Sequence, residues 1–209
     1  WAPMKYVIEG YPRAVCVADF DGNGVQDFAV AKDLSSASVS VVLSNGDGTF
    51  RSQTIFGTGF GTSICAGDFD GDGDNDVAVS CPYEEGPDYV RVYTNMGWFL
   101  YSADLTAGET PISVCAADLD GDADDDIAVA NLDSHTITVY LSGGDGTFSA
   151  GTDYPVGTSP RSVCAADFNG DGDPDLAVAN SGSGNVSVLV GNGDGTLVPA
   201  VGYAAAGSP

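Results

Sequence analysis

Apolar stretches of strand length recur along the chain, broken by clusters of Gly, Asp and Asn. In the first copy of the pattern they run from Ala14 to Phe20, Phe28 to Lys32, Val39 to Leu43 and Phe50 to Phe56. Val, Ile, Phe and Tyr dominate these stretches, and none repeats with the 3.6-residue period of a helix. The pattern predicts four antiparallel strands per unit, here A to D, and very little helix.

An acidic segment follows each strand A, beginning at Asp19, Asp68, Asp118 and Asp167, in steps of 49, 50 and 49 residues. A fixed period near 50 residues marks a tandem repeat, in which each copy is one supersecondary unit that buries its faces against its neighbours. The expected organisation is one repeat domain over 1–209: a spare strand D at 1–12, then units at 13–61, 62–110, 111–159 and 160–209. The spare strand is inferred from Tyr6 and Pro12, which match Tyr154 and Pro160, and Tyr203 and Pro209 repeat the pair at the far end. Such a chain is either cut from a longer array or pairs its extra strand with another chain. Between strands C and D, Asn45-Gly-Asp-Gly-Thr49, Gly143-Gly-Asp-Gly-Thr147 and Asn192-Gly-Asp-Gly-Thr196 read as hairpin turns, because Gly and Asn accept positive φ. The second copy has Asn95-Met-Gly-Trp98 instead.

Each A–B loop places oxygen-bearing side chains at positions 1, 3, 5 and 9, with Gly or Ala at position 6. Alternate residues of a tight loop turn side-chain oxygens inward, position 7 offers its carbonyl, and the small residue lets the chain double back. This is hard-cation chemistry, and calcium, with six to eight oxygen ligands in irregular geometry, suits it better than magnesium. The four expected ligand sets are Asp19, Asp21, Asn23, the Val25 carbonyl and Asp27; Asp68, Asp70, Asp72, the Asp74 carbonyl and Asp76; Asp118, Asp120, Asp122, the Asp124 carbonyl and Asp126; and Asp167, Asn169, Asp171, the Asp173 carbonyl and Asp175. Up to four Ca2+ ions are expected, one per repeat. Asn23 and Asn169 each replace a carboxylate, so sites one and four should bind more weakly than site two. Ala123 stands where the other loops have glycine, and a left-handed conformation there costs about 1 kcal/mol.

Composition narrows the partners. The 209 residues carry 30 acidic and 6 basic side chains, a formal charge of -24, which argues against nucleic acid and anionic membrane surfaces. No apolar run approaches the length of a membrane-spanning helix, so membrane insertion is not expected. At 43% hydrophobic residues the chain should fold rather than remain an acidic tail. It opens at Trp1 with neither a start methionine nor a signal-like segment and reads as a mature or excised piece.

The segment Asp68-Phe-Asp-Gly-Asp-Gly-Asp-Asn-Asp-Val-Ala-Val79 resembles the FG-GAP or VCBS-type repeat, and the likeness spans essentially the whole chain. That family is similar to the calcium-bearing blades of integrin α-subunit propellers. The resemblance implies an all-β propeller-type array of four-stranded blades, calcium in the A–B loops, and extracellular adhesion or carbohydrate-related roles.

Cys16, Cys65, Cys115 and Cys164 share one position in strand A and read as small core side chains, with a shared metal or redox site as the lesser alternative. Cys81, on strand B beside the strand of Cys65, leaves a disulfide between the two open. His135 is the sole histidine and falls in a B–C loop, where no partner for catalysis is evident. Arg13 and Arg161 recur before strand A but lack counterparts at Thr62 and Ile112, which favours a structural role over an anionic-sugar face. Tyr6, Leu105, Tyr154 and Tyr203 are expected to pack between sheets. Asn185-Val-Ser187 is a lone glycosylation sequon.

No catalytic residues or organic cofactor are assigned. The expected function is a calcium-binding, non-catalytic extracellular or cell-surface module for scaffolding or adhesion, partnered by itself head to tail, by another extracellular protein or by a glycan. The alternative is a carbohydrate-binding propeller (a lectin) or a polysaccharide lyase-like domain.

Overall fold

The computed structural model describes residues 8, 10–33, 38–57, 59–83 and 86–205. The spare strand D assigned to 1–12 lies mostly outside the described residues, as do Tyr6 and Pro209. Among the described residues there is no helix, and sixteen strands form four separate four-stranded sheets. Blade 1 is β1 (Tyr11–Ala18), β2 (Asp27–Asp33), β3 (Ser38–Ser44) and β4 (Phe50–Gly57). Blade 2 is β5 (Ser63–Gly67), β6 (Asp76–Cys81), β7 (Tyr89–Asn95) and β8 (Phe99–Thr106). Blade 3 is β9 (Pro111–Ala117), β10 (Asp126–Asn131), β11 (Thr136–Tyr140) and β12 (Thr152–Pro155). Blade 4 is β13 (Pro160–Ala166), β14 (Asp175–Asn180), β15 (Asn185–Leu189) and β16 (Val201–Ala204). Each sheet is an antiparallel meander of consecutive strands, as expected of propeller-type blades.

The repeat carries its register with it. Cys16, Cys65, Cys115 and Cys164 pair with Ala29, Ala78, Ala128 and Ala177, so every A–B loop leaves and re-enters its sheet at the same rung. First strands stand side by side, β1 against β5, β5 against β9 and β9 against β13, so strand A is innermost in each blade. Strands β6 and β10 are buried along their whole length, whereas the outer β16 is exposed throughout. Three apolar clusters hold the molecule together, and each spans two adjacent blades rather than one. Sheet faces buried against sheet faces account for the continuous Val, Ile and Ala runs of these strands.

Several expectations need amendment. Phe20, read as the end of strand A, lies in the loop and is buried under blade 2. Ala78 sits opposite Cys65, which carries Cys81 three residues along the sheet, and all five cysteines are free thiols. Tyr154 packs between sheets and accepts the Leu197 N–H on its hydroxyl, but Tyr203, its counterpart in blade 4, is exposed. The hairpin turns are present: Asn45, Gly143 and Asn192 donate N–H to the carbonyls of Thr49, Thr147 and Thr196, and Met96 does the same to Trp98 in blade 2.

Candidate metal centres

Each A–B loop is wound around its first aspartate. Asp68 accepts the Gly71 N–H on Oδ1 at 2.8 Å and the Gly73 N–H on Oδ2 at 2.9 Å. Asp118 does the same with Gly121 and Ala123, and Asp167 with Gly170 and Gly172. Asp19 accepts from Asn23 and Gly24. The loop doubles back where φ is positive, at +80° for Gly24, +88° for Gly73 and +100° for Gly172, and Ala123 is forced to +81°.

The aspartate at position 9 has a second task. In every blade one of its oxygens accepts the N–H of loop position 2, and the other accepts an N–H at the start of the C–D hairpin. The pairs are Phe20 and Ser44 for Asp27, Phe69 and Asn95 for Asp76, Leu119 and Ser142 for Asp126, and Phe168 and Gly191 for Asp175. This carboxylate therefore fastens loop to hairpin whether or not it also faces a cation.

Carboxylate oxygens gather in three of the four loops. One oxygen from each of Asp19, Asp21 and Asp27 lies within 4.8 Å of the others, and the same holds for Asp68, Asp70 and Asp76 and for Asp118, Asp120 and Asp122. The fourth loop does not bring three carboxylates together among the described residues: Asn169 Nδ2 donates to Asp171 Oδ2 at 2.8 Å and holds it aside. In the first loop Arg51 forms an ion pair with Asp21. In three loops the side chain at position 7 lies by a glycine of the C–D hairpin, Val25 by Gly46, Asp124 by Gly144 and Asp173 by Gly193, whereas Asp74 lies by Gly22 of the first loop.

Electrostatics single out the second and third loops. Burial pushes Asp76 and Asp126 up to about 7, against the pull of the backbone N–H groups they accept. Asp70 and Asp120 are also raised, by burial first and then by the charges of Asp72 and Asp122. Asp70 Oδ1 is buried with no hydrogen-bond partner, an arrangement that costs free energy unless a cation or water meets it. The donors are all oxygen, and the residues fit a hard divalent ion.

Sequence reasoning missed the ties between neighbouring loops. Asn75 Nδ2 donates to the Asp19 carbonyl at 2.9 Å, and Asp125 accepts the Asp68 N–H at 3.2 Å while returning its own N–H to the Asp68 carbonyl. Their shared position 8, polar in three of the four loops, was the available signal. The Asn185 side chain of the sequon is held by Asn180 and Ser183, and Ser187 is buried.

The FG-GAP-like repeat matches four times, over residues 19–79, 68–129, 118–178 and 167–209, each match running from one acidic loop through the next. The chain belongs to the FG-GAP-like repeat family. No curated protein matches it. Among solved structures, FG-GAP-like blades of this chain superimpose on a lectin from Agrocybe aegerita that recognises non-reducing terminal N-acetylglucosamine. Identity is 21%, coverage 89% of this chain and 50% of that one, and the TM-score 0.63. A functionally unknown protein from Desulfotomaculum acetoxidans gives 14%, 94%, 58% and 0.67. A protein from Lactobacillus plantarum gives 12%, 91%, 55% and 0.61. The chain spans about half the length of these structures, and at such identities they share its fold. Among the described residues no helix is long and apolar enough to cross a membrane.

Proposed function

We propose that this FG-GAP-like array is a calcium-loaded, non-catalytic extracellular module for scaffolding or adhesion. The observation that carries the reading is the unpartnered, buried Asp70 Oδ1 in a loop whose Asp68 and Asp76 bring further carboxylate oxygens within 4.8 Å. Asp68, Asp70, Asp72 and Asp76 would hold one ion, and Asp118, Asp120, Asp122 and Asp126 another; sites one and four, with Asn23 and Asn169, follow with less charge. When bound, calcium supplies no chemistry of its own beyond cancelling the repulsion among these carboxylates. Loops of this ligand count suit the roughly millimolar calcium outside cells. A non-catalytic role is supported by the commitment of the paired acids to the loops and by His135, whose Nδ1 is engaged by backbone groups, 2.9 Å from the Leu132 carbonyl and 3.1 Å from the Ser159 nitrogen. Thermal unfolding in calcium and in chelator tests the proposal: calcium should raise the midpoint by many degrees, more than magnesium does, because it binds the native loops and scarcely the unfolded chain. Superimposable melting curves would refute it.

A recess on blade 2 favours glycan binding as a second reading. Its cavity of about 470 Å³ is lined by Tyr83, Pro87, Asp88, Tyr89, Arg91 and Asp104. Arg91 donates to both Asp104 oxygens at 2.6 Å and lies 4.7 Å from the Tyr89 ring centroid. An arginine already neutralised, beside the exposed Tyr83 and the half-buried Tyr89, suits a neutral, hydroxyl-rich ligand better than an anion. Glycan-array binding that is lost on Tyr83→Ala would support it, and a blank array would dismiss it.

A further inference from the structure

The C–D hairpin of blade 2 is cut short. It runs Asn95-Met-Gly-Trp-Phe99, where blade 3 has Ser142-Gly-Gly-Asp-Gly-Thr-Phe148 and blade 4 has Gly191-Asn-Gly-Asp-Gly-Thr-Leu197. Asn95, Ser142 and Gly191 are equivalent, since each gives its N–H to the position-9 aspartate of its own blade. The Asp-Gly step that blade 2 lacks has a definite place in the other two. Gly146 of blade 3 packs against Asp70 and Thr94 of blade 2, and its carbonyl accepts the Ser102 hydroxyl at 3.3 Å. Gly195 of blade 4 packs against Leu141 of blade 3 and donates its N–H to the Leu119 carbonyl at 3.0 Å. Both glycines plug the seam between their own blade and the one before.

At the seam between blades 1 and 2 that plug is missing. Phe20, Asp21 and Leu43, the counterparts of residues that Gly146 and Gly195 cover, line a cleft of about 170 Å³ with Asp74, Trp98 and Phe99 of blade 2. Its floor is apolar: Phe20 and Val41 are buried, and Phe99 packs on Phe20. Its rim is acidic and aromatic. The Asn95 amide, which also lines the cleft, is spent on the Phe20 and Asn75 carbonyls at 2.9 and 3.1 Å. Arg51 already shares Asp21. Asp74 is exposed, and among the described residues its carboxylate accepts no hydrogen bond. The Trp98 ring is exposed as well.

We propose that this cleft binds a small organic cation, a primary ammonium head held between the Asp74 carboxylate and the Trp98 ring with a short apolar body on Phe20, Leu43 and Phe99. A carboxylate and an indole face both attract positive charge, and taking the body out of water adds to the gain. Charge and hydrogen bonding together choose the ligand. The lining side chains include two carboxylates, Asp21 and Asp74, and no basic group, and the donors left to them are the Thr54 hydroxyl and the Trp98 indole N–H. An ammonium only donates, so it matches this rim better than an anion or a hydroxyl-rich ligand does. The proposal goes beyond the calcium reading and does not rest on it, since the Asp74 side chain is outside the expected ligand sets and blade packing forms the cleft.

NMR titration of the whole chain in saturating calcium and at constant ionic strength tests the cleft with butylammonium, its uncharged analogue 1-butanol and the anion butyrate. The reporters are the Gly97 amide and the Trp98 indole N–H, one of 2 indoles in the sequence. Butylammonium should shift both saturably, and the alcohol and the anion should bind about tenfold or more weakly. Glucosamine, which carries the same head on a polar body, should bind more weakly than butylammonium. Asp74→Asn and Trp98→Ala, the latter read at Gly97, should each weaken binding by about threefold to thirtyfold. Both side chains are exposed, so circular dichroism should show both variants folded. Inserting Asp-Gly after Gly97, which restores the hairpin length of blades 3 and 4, should fill the seam and abolish binding. Equal affinity for 1-butanol, tighter binding of glucosamine, substituted chains that bind like the parent, or undiminished binding after the insertion would each overturn the proposal. Failure of the calcium reading would show instead in the melting curves.

Discussion

Asp76 reaches across blade 2 to Asn95, nineteen residues away, and accepts its backbone N–H at 2.7 Å while its other oxygen accepts the Phe69 N–H. The metal loop is thereby held from the hairpin side, independently of any ion. Asp76→Asn replaces one accepting oxygen with an amide donor facing a buried N–H, which should cost about 1–3 kcal/mol even in chelator. Asp72→Asn alters an exposed loop position whose Oδ1 accepts only the Asp74 N–H, and it should matter only when calcium is present. Denaturant unfolding of both variants with and without calcium separates the two roles; equal losses in chelator would show that the fastening is not structural.

Ala123 adopts φ +81°, where its three counterparts are glycine. The left-handed conformation costs an L-residue roughly 1–2 kcal/mol, and glycine returns about 0.4–1 kcal/mol of that through the entropy of the unfolded chain. Ala123→Gly should therefore stabilise the protein by about 0.5–1 kcal/mol, and Gly73→Ala should destabilise it. Denaturation midpoints for the pair give the sign directly, and a stabilising Gly73→Ala would contradict the strain argument.

Much of this architecture is legible in one line of sequence because the acidic loop recurs with its cysteine three residues ahead, and that spacing sets the same strand rung in all four blades. What spacing does not reveal is the partner across a gap. Asp27 and Asp76 look like ordinary ligands until the hairpin N–H groups they accept are seen. Asn95, which breaks the turn pattern, is the donor to the Phe20 carbonyl. Tyr154 and Tyr203 are equivalent in sequence, yet among the described residues the first packs into a cluster shared by blades 3 and 4 and the second is exposed. The blade 2 recess likewise unites Tyr83 with Arg91 and Asp104, which share no motif.

Arg51 pairs with Asp21 in the first loop and so competes for one of the carboxylates that would meet a cation there. Removing it by Arg51→Gln should strengthen calcium binding at that site, and a partly exposed pair worth up to about 1 kcal/mol corresponds to roughly fivefold. The other loops lie in different blades or are screened from it and should be unaffected. Calorimetric titration resolves this as a tightening of one class of sites; an unchanged or weakened isotherm would mean that Arg51 does not compete with the ion.

The five thiols should differ sharply in reactivity. Burial pushes Cys16, Cys81 and Cys115 up to about 12 and Cys65 well above the ordinary thiol range, the last also through the neighbouring Cys115. Because the thiolate is the nucleophile, at pH 8 only about one in ten thousand of the groups near 12 is reactive, and raising the pH to 9 still leaves them protonated. Cys164 is exposed, unlike the other four, and should react first with a maleimide. Mass spectrometry after brief labelling should find modification at Cys164 alone in the native chain and at all five sites in denaturant. Native modification of Cys81 as fast as that of Cys164 would show that the inner sheets open far more readily than their burial implies.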